Sequence, residues 1–167
     1  ILLYKAKVVP VGEDQLPHIE LARELARRFN QTFRQTFPEP HAQLSNAPRL
    51  PGTDNRTMHT SYGNAIFLCD TPEETARKVM SMYTDPTRIH PGDPGHVDGN
   101  PVFALLDVFH SDQAELSELK ARYEAGRVGD VEVKRLLAKS LNAYLASMRA
   151  RRVELYAQPR MLMEILY

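Results

Sequence analysis

The sequence predicts an α/β segment followed by an all-helical segment, and three observations support this prediction. The short β-branched run from Val8 to Val11 is followed by a glycine, which indicates a buried strand. From Leu16 onward, apolar residues recur at helical spacing and complete a strand–turn–helix unit. Beyond Asp70 the pattern is helical, interrupted by loops rich in proline and glycine. We therefore expect an α/β domain over residues 1–70 and a helical domain over residues 71–167.

Length and composition limit the possible functions. The 167 residues are 43% hydrophobic and 25% charged, as is typical of globular proteins. The 21 basic and 21 acidic side chains cancel, which argues against binding to a polyanion through bulk charge but leaves a local basic face open. The single cysteine, Cys69, excludes an internal disulfide and a cysteine zinc site, and we expect it to be buried. Because we find no signal peptide and no run of about 20 apolar residues, we expect a cytoplasmic protein without a membrane span.

The turn after the predicted strand is the first candidate site. It lies at the carboxyl end of a strand, where open α/β sheets bind ligands. Its glycine allows close backbone approach, the helix N-terminus that follows favours anions, and a carboxylate can hold sugar hydroxyls. The alternative is that Asp14 is only the N-cap of the helix and that Glu13 is a solvated turn residue. The residues of this turn are Gly12, Glu13, Asp14 and Gln15.

Capping signals divide the remainder of the chain into helices. Residues 36–56 are expected to form a loop with at most one short strand, because proline, glycine and asparagine dominate there. The predicted helix N-caps are Thr71, Asn100, Asp112 and Asp130. Predicted capping boxes are completed three residues later by Glu74 and Glu115. The predicted helices end near Tyr83, near Phe109, near Gly126 and, for the longest one, before Pro159.

A polar stretch after the breaker-rich residues 51–56 is the second candidate site. Small side chains, hydroxyls and a flexible approach are typical of a mobile loop that closes over a charged ligand. The alternative is an ordinary polar surface loop. The residues of this stretch are Thr57, Met58, His59, Thr60 and Ser61.

Two further patterns, the histidines and a cluster of arginines, also have simple structural explanations. None of the six histidines pairs at a metal-ligand spacing with another histidine or with Cys69, so no metal site is predicted. Three arginines near the end of the longest predicted helix either complement the helix dipole or contact phosphate. These arginines are Arg149, Arg151 and Arg152, and the residues that would share a phosphate-binding face with them are Arg135, Lys139 and Arg160.

Several stretches, taken together and in order, resemble the bacterial tryptophanyl-tRNA synthetases. Residues 9–21 are similar to the strand–helix signature of that family, whose Glu-Asp-Gln form separates it from the tyrosyl relatives. The resemblance covers essentially the whole chain. It implies the end of a Rossmann-type class I synthetase catalytic domain followed by an α-helical anticodon-binding bundle. The other matching stretches are residues 1–4, 38–40, 49–52, 61–64, 82–86 and 101–103.

The resemblance also implies an activity and its partners. A homodimeric ligase of this family activates tryptophan with ATP and Mg2+ and then transfers it to tRNA(Trp). The first candidate site would bind two ligands, with Gly12, Glu13 and Asp14 lining the adenosine side. Gln15 would reach the amino and carboxyl groups of tryptophan.

The resemblance also implies contacts for the strand before the first candidate site and for the second candidate site. Val9 and Val11 would pack on the indole ring of tryptophan. The second candidate site would occupy the place of the family's Lys-Met-Ser-Lys-Ser loop, and Thr57, Thr60 and Ser61 would therefore contact the triphosphate of ATP.

The sequence departs from the family pattern in its loop. Thr57 and Thr60 stand where the family has lysines, and His59 stands where it has the first serine. Lysines stabilise charge that develops on the pyrophosphate, and a charge-assisted hydrogen bond contributes about 1.5–3 kcal/mol against about 0.5–1.5 for a neutral one. Loss of two such bonds would slow activation by on the order of 10²–10³. Arg49 or Arg56 could compensate in part.

The sequence also departs from the family in its length. We expect this chain to be the carboxyl-terminal half of a longer protein, without the amino-terminal half and its His-Ile-Gly-His-type motif. Residues 1–167 alone should therefore be inactive. An alternative is a synthetase-derived paralogue that binds tryptophan, ATP or tRNA in a role outside translation, which the two threonines favour.

Overall fold

The structure, a computed structural model, describes residues 1–45, 47, 49–90 and 92–166. The chain forms two compact units, Ile1–Leu50 and Pro51–Tyr167. The break between them comes earlier than the predicted boundary, because residues 51–70 pack with the helices that follow. The assignment of residues 1–70 and 71–167 to two functional domains remains a prediction.

The first unit is a single β–α–β motif. Strand β1 (Val8–Val11) pairs in parallel with β2 (His41–Leu44), so that Val8 lies opposite His41. Parallel neighbours require a crossover connection, and helix α1 (Leu16–Thr32) provides it. The predicted strand, the helix start at Leu16 and the single short strand in the following loop are confirmed. The prediction that the first strand is buried is wrong, because Val8 and Pro10 are exposed and Val9 and Val11 are only half-buried. The buried residues of α1 are Ile19, Ala22 and Ala26, spaced so that they share one helix face.

The prediction that Asp14 is the N-cap of α1 is wrong. A single turn of 3₁₀ helix, Glu13–Gln15, precedes α1, and Asp14 lies inside it. Gln15 is the residue before α1, and its side chain makes no capping bond. Because the extra turn gives Asp14 a helical backbone, its carboxylate does not fold back as a cap and instead accepts the Gln15 amide at 2.9 Å.

The second unit consists of five α-helices among the described residues. Helix α5 is its centre and packs against α2 and α3. Among the described residues, no helix is long and apolar enough to cross a membrane. The helices are α2 (Pro72–Met80), α3 (Pro101–Phe109), α4 (Gln113–Glu124), α5 (Asp130–Tyr156) and α6 (Pro159–Leu166). The fully buried residues include Val79, Phe103, Leu105, Leu106, Leu116, Tyr123, Val133 and Leu137.

Three of the four N-cap predictions for this unit are confirmed. The Thr71 hydroxyl accepts the Glu74 N–H at 3.1 Å, and the Glu74 carboxylate accepts the Thr71 N–H at 2.9 Å, which closes the predicted capping box. Asn100 accepts the Val102 N–H at 3.0 Å, and Asp112 caps α4 in the same way.

The remaining predictions fail where a side chain has a tertiary partner. Asp130 is the first helical residue after the N-cap Gly129, and its carboxylate accepts the Tyr123 hydroxyl at 2.8 Å. Glu115 forms no capping box because its carboxylate contacts His110 at 3.2 Å. Cys69 is exposed rather than buried. Tyr144 and Met148, two of the large apolar residues of α5, are also exposed.

A buried lysine determines where α2 ends. Helix α2 stops at Met80, three residues before the predicted end at Tyr83. Lys134 of α5 is 5% exposed, and its ammonium donates to the Met82 carbonyl at 2.6 Å, to the Thr84 hydroxyl at 2.8 Å and to the Met80 carbonyl at 3.3 Å. Burial lowers the pKa of this amine because desolvation disfavours its charged form.

We expect Lys134→Met to lower the free energy of unfolding by about 1–3 kcal/mol, because buried carbonyl groups at the end of α2 lose their donor. Lys139→Met, at an exposed position of the same helix, is the matched control and should change stability little. Chemical denaturation of both variants measures the difference. Equal stabilities would show that the three hydrogen bonds do not hold α2 to α5.

Candidate functional site

The first candidate site occupies the carboxyl end of β1 in the first unit. Val9 and Val11 alternate with exposed residues along the strand, lie on one face and are half-buried. Directly after the strand, Gly12 continues in extended backbone conformation and the 3₁₀ turn begins. A polar turn therefore directly follows an apolar strand face. The side chains that the turn exposes are Glu13, Asp14 and Gln15.

The second candidate site begins with a tight turn. Pro51 and Thr57 form an antiparallel bridge, and within it the Gly52 N–H donates to the Arg56 carbonyl at 2.6 Å. Asn55 has a φ of 66°, a left-handed conformation that asparagine tolerates better than most residues. The segment before Thr57 is thus folded on itself rather than open.

A second short turn completes the site. Thr60–Tyr62 forms a turn of 3₁₀ helix, and His59 caps it by accepting the Ser61 N–H on Nδ1 at 3.3 Å. Gly63 ends the turn with a φ of 68°. Met58 is half-buried, and the side chains that this segment exposes are those of Thr57, His59, Thr60 and Ser61.

The buried carboxamide of Asn64 lies beneath this segment. Asn64 is 3% exposed, and its Oδ1 accepts the His59 N–H at 2.9 Å. Its Nδ2 donates to the Asp54 carboxylate at 2.8 Å and to the Thr57 carbonyl at 3.1 Å. Sequence reasoning assigned no role to Asn64 or Asp54. The sequence signal that could have identified Asn64 is its position, directly between Gly63, which ends a turn, and the apolar run that follows.

The charges of this loop are nearly balanced. Arg56, the one arginine or lysine in residues 51–64, contacts the Asp54 carboxylate at 2.6 Å and lies 5.5 Å from the ring centre of Tyr62. The Asn64 hydrogen bond, together with those from Arg56, lowers the pKa of Asp54 to about 2. Of the two arginines that were expected to compensate, Arg49 and Arg56, Arg56 is therefore already paired.

The basic residues near the end of α5 do not form one face. Arg149 donates to the Thr75 hydroxyl at 2.8 Å and, with Arg152, lines a groove of about 550 Å³. Arg135 and Lys139 line a different groove of about 420 Å³, together with three glutamates. No basic residue lies in the last turn of α5, so the proposed interaction of the three arginines with the helix dipole is wrong. Among the described residues, no group of three or more His, Cys, Asp or Glu side chains could hold a metal ion.

We expect Asp54 to stabilise the protein only at pH values where it is ionised. Its pKa is about 2 in the folded protein, against about 3.9 in an unfolded chain. A lowered pKa means that the stabilisation is complete above about pH 5 and is lost as the pH falls through about 4 towards 2. The difference in free energy of unfolding between the protein and its Asp54→Asn variant should shrink over that range. A difference that stays constant down to pH 2 would contradict the hydrogen-bond pattern.

Comparison with known proteins identifies the family. The family model described as tRNA synthetases class I (W and Y) matches residues 1–146. The tryptophan–tRNA ligase of Aquifex aeolicus is 48% identical over 167 residues, which are 100% of this chain and 42% of that protein. The enzyme of the same name from Treponema pallidum is 51% identical, over 99% of this chain and 50% of that protein. The chain thus spans about half the length of the curated relatives it matches.

Solved structures agree with this result. The tryptophanyl-tRNA synthetase of Campylobacter jejuni, complexed with ADP and tryptophan, aligns with a TM-score of 0.75 and 33% identity, over 99% of this chain and 51% of that one. The synthetase of Aeropyrum pernix aligns with a TM-score of 0.72 and 28% identity, over 89% of this chain and 41% of that one. The resemblance inferred from the sequence is therefore confirmed. The chain belongs to the class I tRNA synthetases of the W and Y type and has the Rossmann-like catalytic-domain fold of that family.

Proposed function

We propose that this chain is the carboxyl-terminal half of a tryptophan–tRNA ligase, a cytoplasmic homodimer that activates tryptophan with ATP and transfers it to tRNA(Trp). The observation that carries the proposal is the polar turn directly after β1, where three exposed side chains, those of Glu13, Asp14 and Gln15, follow a strand with one half-buried apolar face. The relatives that are 48% and 51% identical bear the name of this enzyme.

The first candidate site provides two kinds of contact. Gly12, Glu13 and Asp14 line the adenosine side, where exposed carboxylates accept hydrogen bonds from ribose hydroxyls. Gln15 carries both a donor and an acceptor, which suits the amino and carboxyl groups of the amino acid. On the strand, Val9 and Val11 leave apolar surface on the same face, which suits the indole ring.

The second candidate site contacts the triphosphate of ATP. Thr57 and Thr60 expose hydroxyl groups that donate to phosphate oxygens. The Ser61 hydroxyl lies 2.7 Å from His59 Nδ1, so Ser61 and His59 meet the triphosphate as a hydrogen-bonded pair. The contact of Met58 is apolar. Mg2+ prefers oxygen ligands, yet Asp54, the one carboxylate in residues 51–64, is already bound to Asn64 and Arg56. Mg2+ therefore fits here only on the phosphates and water, where it neutralises charge.

Catalysis in this site depends on position and on charge. Formation of tryptophanyl-adenylate requires the tryptophan carboxylate to attack the α-phosphate, while pyrophosphate leaves with increasing negative charge. Hydroxyl groups stabilise that charge less than lysine ammonium groups do, by about 1–1.5 kcal/mol for each bond. Because Arg56 is already paired with Asp54, the loop compensates little, and activation is slow for the family.

The helices over residues 71–167 form the domain that meets the tRNA anticodon. Arg149 and Arg152 support this assignment because, among the described residues, neither is paired with a carboxylate. The exposed ring of Tyr156, 5.1 Å from the Arg152 guanidinium, offers a surface for base stacking. Residues 1–70 then belong to the catalytic domain.

We expect the full-length protein to catalyse tryptophan-dependent exchange of pyrophosphate into ATP, with no exchange in the presence of tyrosine. Asp14→Ala should reduce this exchange, and residues 1–167 alone should show none. Tryptophan binding without any exchange would contradict the proposal. It would instead support the second candidate function, a synthetase-derived binding protein outside translation, which the threonines at 57 and 60 favour.

Restoring the two lysines separates a slow enzyme from a binding protein. We expect Thr57→Lys with Thr60→Lys to raise the exchange rate by on the order of 10², because two neutral contacts become charge-assisted and together contribute about 2–3 kcal/mol more. Gln31→Lys with Thr32→Lys adds two charges at exposed positions of α1 and should leave the rate unchanged. Equal rates in all three proteins would show that the loop does not contact the triphosphate.

A further inference from the structure

We propose that Asn64 is a positioning residue for ATP activation. Its buried carboxamide sets the backbone conformation in which residues 57–61 meet the triphosphate. This inference rests on the proposed function and adds to it a residue that touches neither ATP nor tryptophan.

The Asn64 side chain uses both of its donors and its oxygen in bonds to the loop. Both Nδ2 protons are donated, to the Asp54 carboxylate at 2.8 Å and to the Thr57 carbonyl at 3.1 Å. Its Oδ1 accepts the His59 N–H at 2.9 Å. An amide offers two donors and an acceptor on one short side chain, whereas an aspartate lacks the donors and a serine lacks the reach.

These bonds hold the loop at backbone groups that lie between its exposed side chains. The Thr57 carbonyl and the His59 N–H both point inward to Asn64, on either side of Met58. The side chains of Thr57, His59, Thr60 and Ser61 are exposed.

Four of the five side chains of residues 57–61 are exposed, so the order of this segment depends mainly on polar contacts. Without the carboxamide, the backbone would be ordered only when ATP binds, and the entropy cost would weaken binding.

The space around the carboxamide is shaped to admit it. A Cβ placed on Gly52 would lie 2.5 Å from the Asn64 Cγ, closer than any real contact. Gly52 is itself buried and starts the turn that precedes Thr57. The glycine is thus an independent observation that this turn is built around the Asn64 side chain.

The Asn64 backbone connects the loop to the helical unit. The Asn64 carbonyl accepts the Thr53 N–H at 2.9 Å, and the Thr53 carbonyl accepts the Tyr83 N–H at 2.8 Å. Tyr83 follows Met82, whose carbonyl accepts the buried ammonium of Lys134. These hydrogen bonds therefore tie the loop to the core around α5 rather than to the surface.

The first experiment compares Asn64→Ala with Asn30→Ala in the full-length protein. Asn30 is a matched control, because its carboxamide also makes three bonds to loop backbone, at Thr36 and Phe37, and lies outside both candidate sites. Asn64→Ala should raise the KM for ATP in pyrophosphate exchange and lower kcat/KM at least tenfold. Transfer of tryptophan from preformed adenylate to tRNA, which involves no triphosphate, should change less than twofold in both variants.

A second experiment separates positioning from general stability. In the background with Thr57→Lys and Thr60→Lys, Asn64→Ala should remove most of the gain that the lysines give, since misplaced lysines do not reach the pyrophosphate. Asn30→Ala should leave that gain intact. Asn64→Asp, which keeps the shape but places a second carboxylate against Asp54, should act like Asn64→Ala, and its combination with Asp54→Asn should recover part of the affinity for ATP.

Two outcomes would overturn the inference, and they are distinct. In the first, the unaltered protein catalyses exchange, but Asn64→Ala and Asn30→Ala have the same KM for ATP, or the gain from the lysines is undiminished in Asn64→Ala. That result would refute the role of Asn64 alone. Absence of exchange in the unaltered protein, and also after the two lysines are introduced, would refute the proposed function together with it.

Discussion

The buried carboxamide of Asn64 is the interaction on which the second candidate site depends. It satisfies a carboxylate, a carbonyl and an N–H that come from three different positions of the preceding ten residues. A buried polar group is tolerated only when it is paired, and here the pairing also specifies one loop conformation out of many. The same arrangement holds the backbone of the segment that carries Thr57 and His59.

This loop is continuous with the core of the helical unit through a short series of hydrogen bonds. Asn64 binds the Thr53 backbone, Thr53 binds the Tyr83 backbone, and Lys134 holds the carbonyl next to Tyr83. On the other side, Lys78 of α2 donates to the Ala65 carbonyl at 3.0 Å and to the Asp70 carboxylate at 2.6 Å. One side of the loop is thus tied to α2 and the other to the segment directly after α2, and both of these are tied to α5. This explains why residues 51–70 pack with the helices, although the sequence assigns them to the α/β domain.

Local patterns were sufficient to predict β1, α1 and the caps at Thr71, Asn100 and Asp112, because each depends on residues at most four positions apart. Predictions failed where a distant partner competed. Asp130 binds Tyr123 and Arg88 instead of capping its own helix, and the end of α2 is set by a lysine that lies more than fifty residues later. For the candidate site, family resemblance identified the exposed residues at 12–15 and 57–61. The matching stretches included Gly52 and Asn64 but gave them no role, and they did not include Asp54, since the contacts of these residues follow no sequence period.

The most direct test of this account is the rate of hydrogen exchange at the His59 amide. His59 is exposed, yet its N–H is donated to the buried Asn64 Oδ1. Because a hydrogen bond to a buried acceptor must open before exchange occurs, the account predicts protection at His59 that is lost in Asn64→Ala. Exchange of the His59 amide at the rate of an unstructured peptide in the unaltered protein would contradict the account, since the loop would then not be held by Asn64.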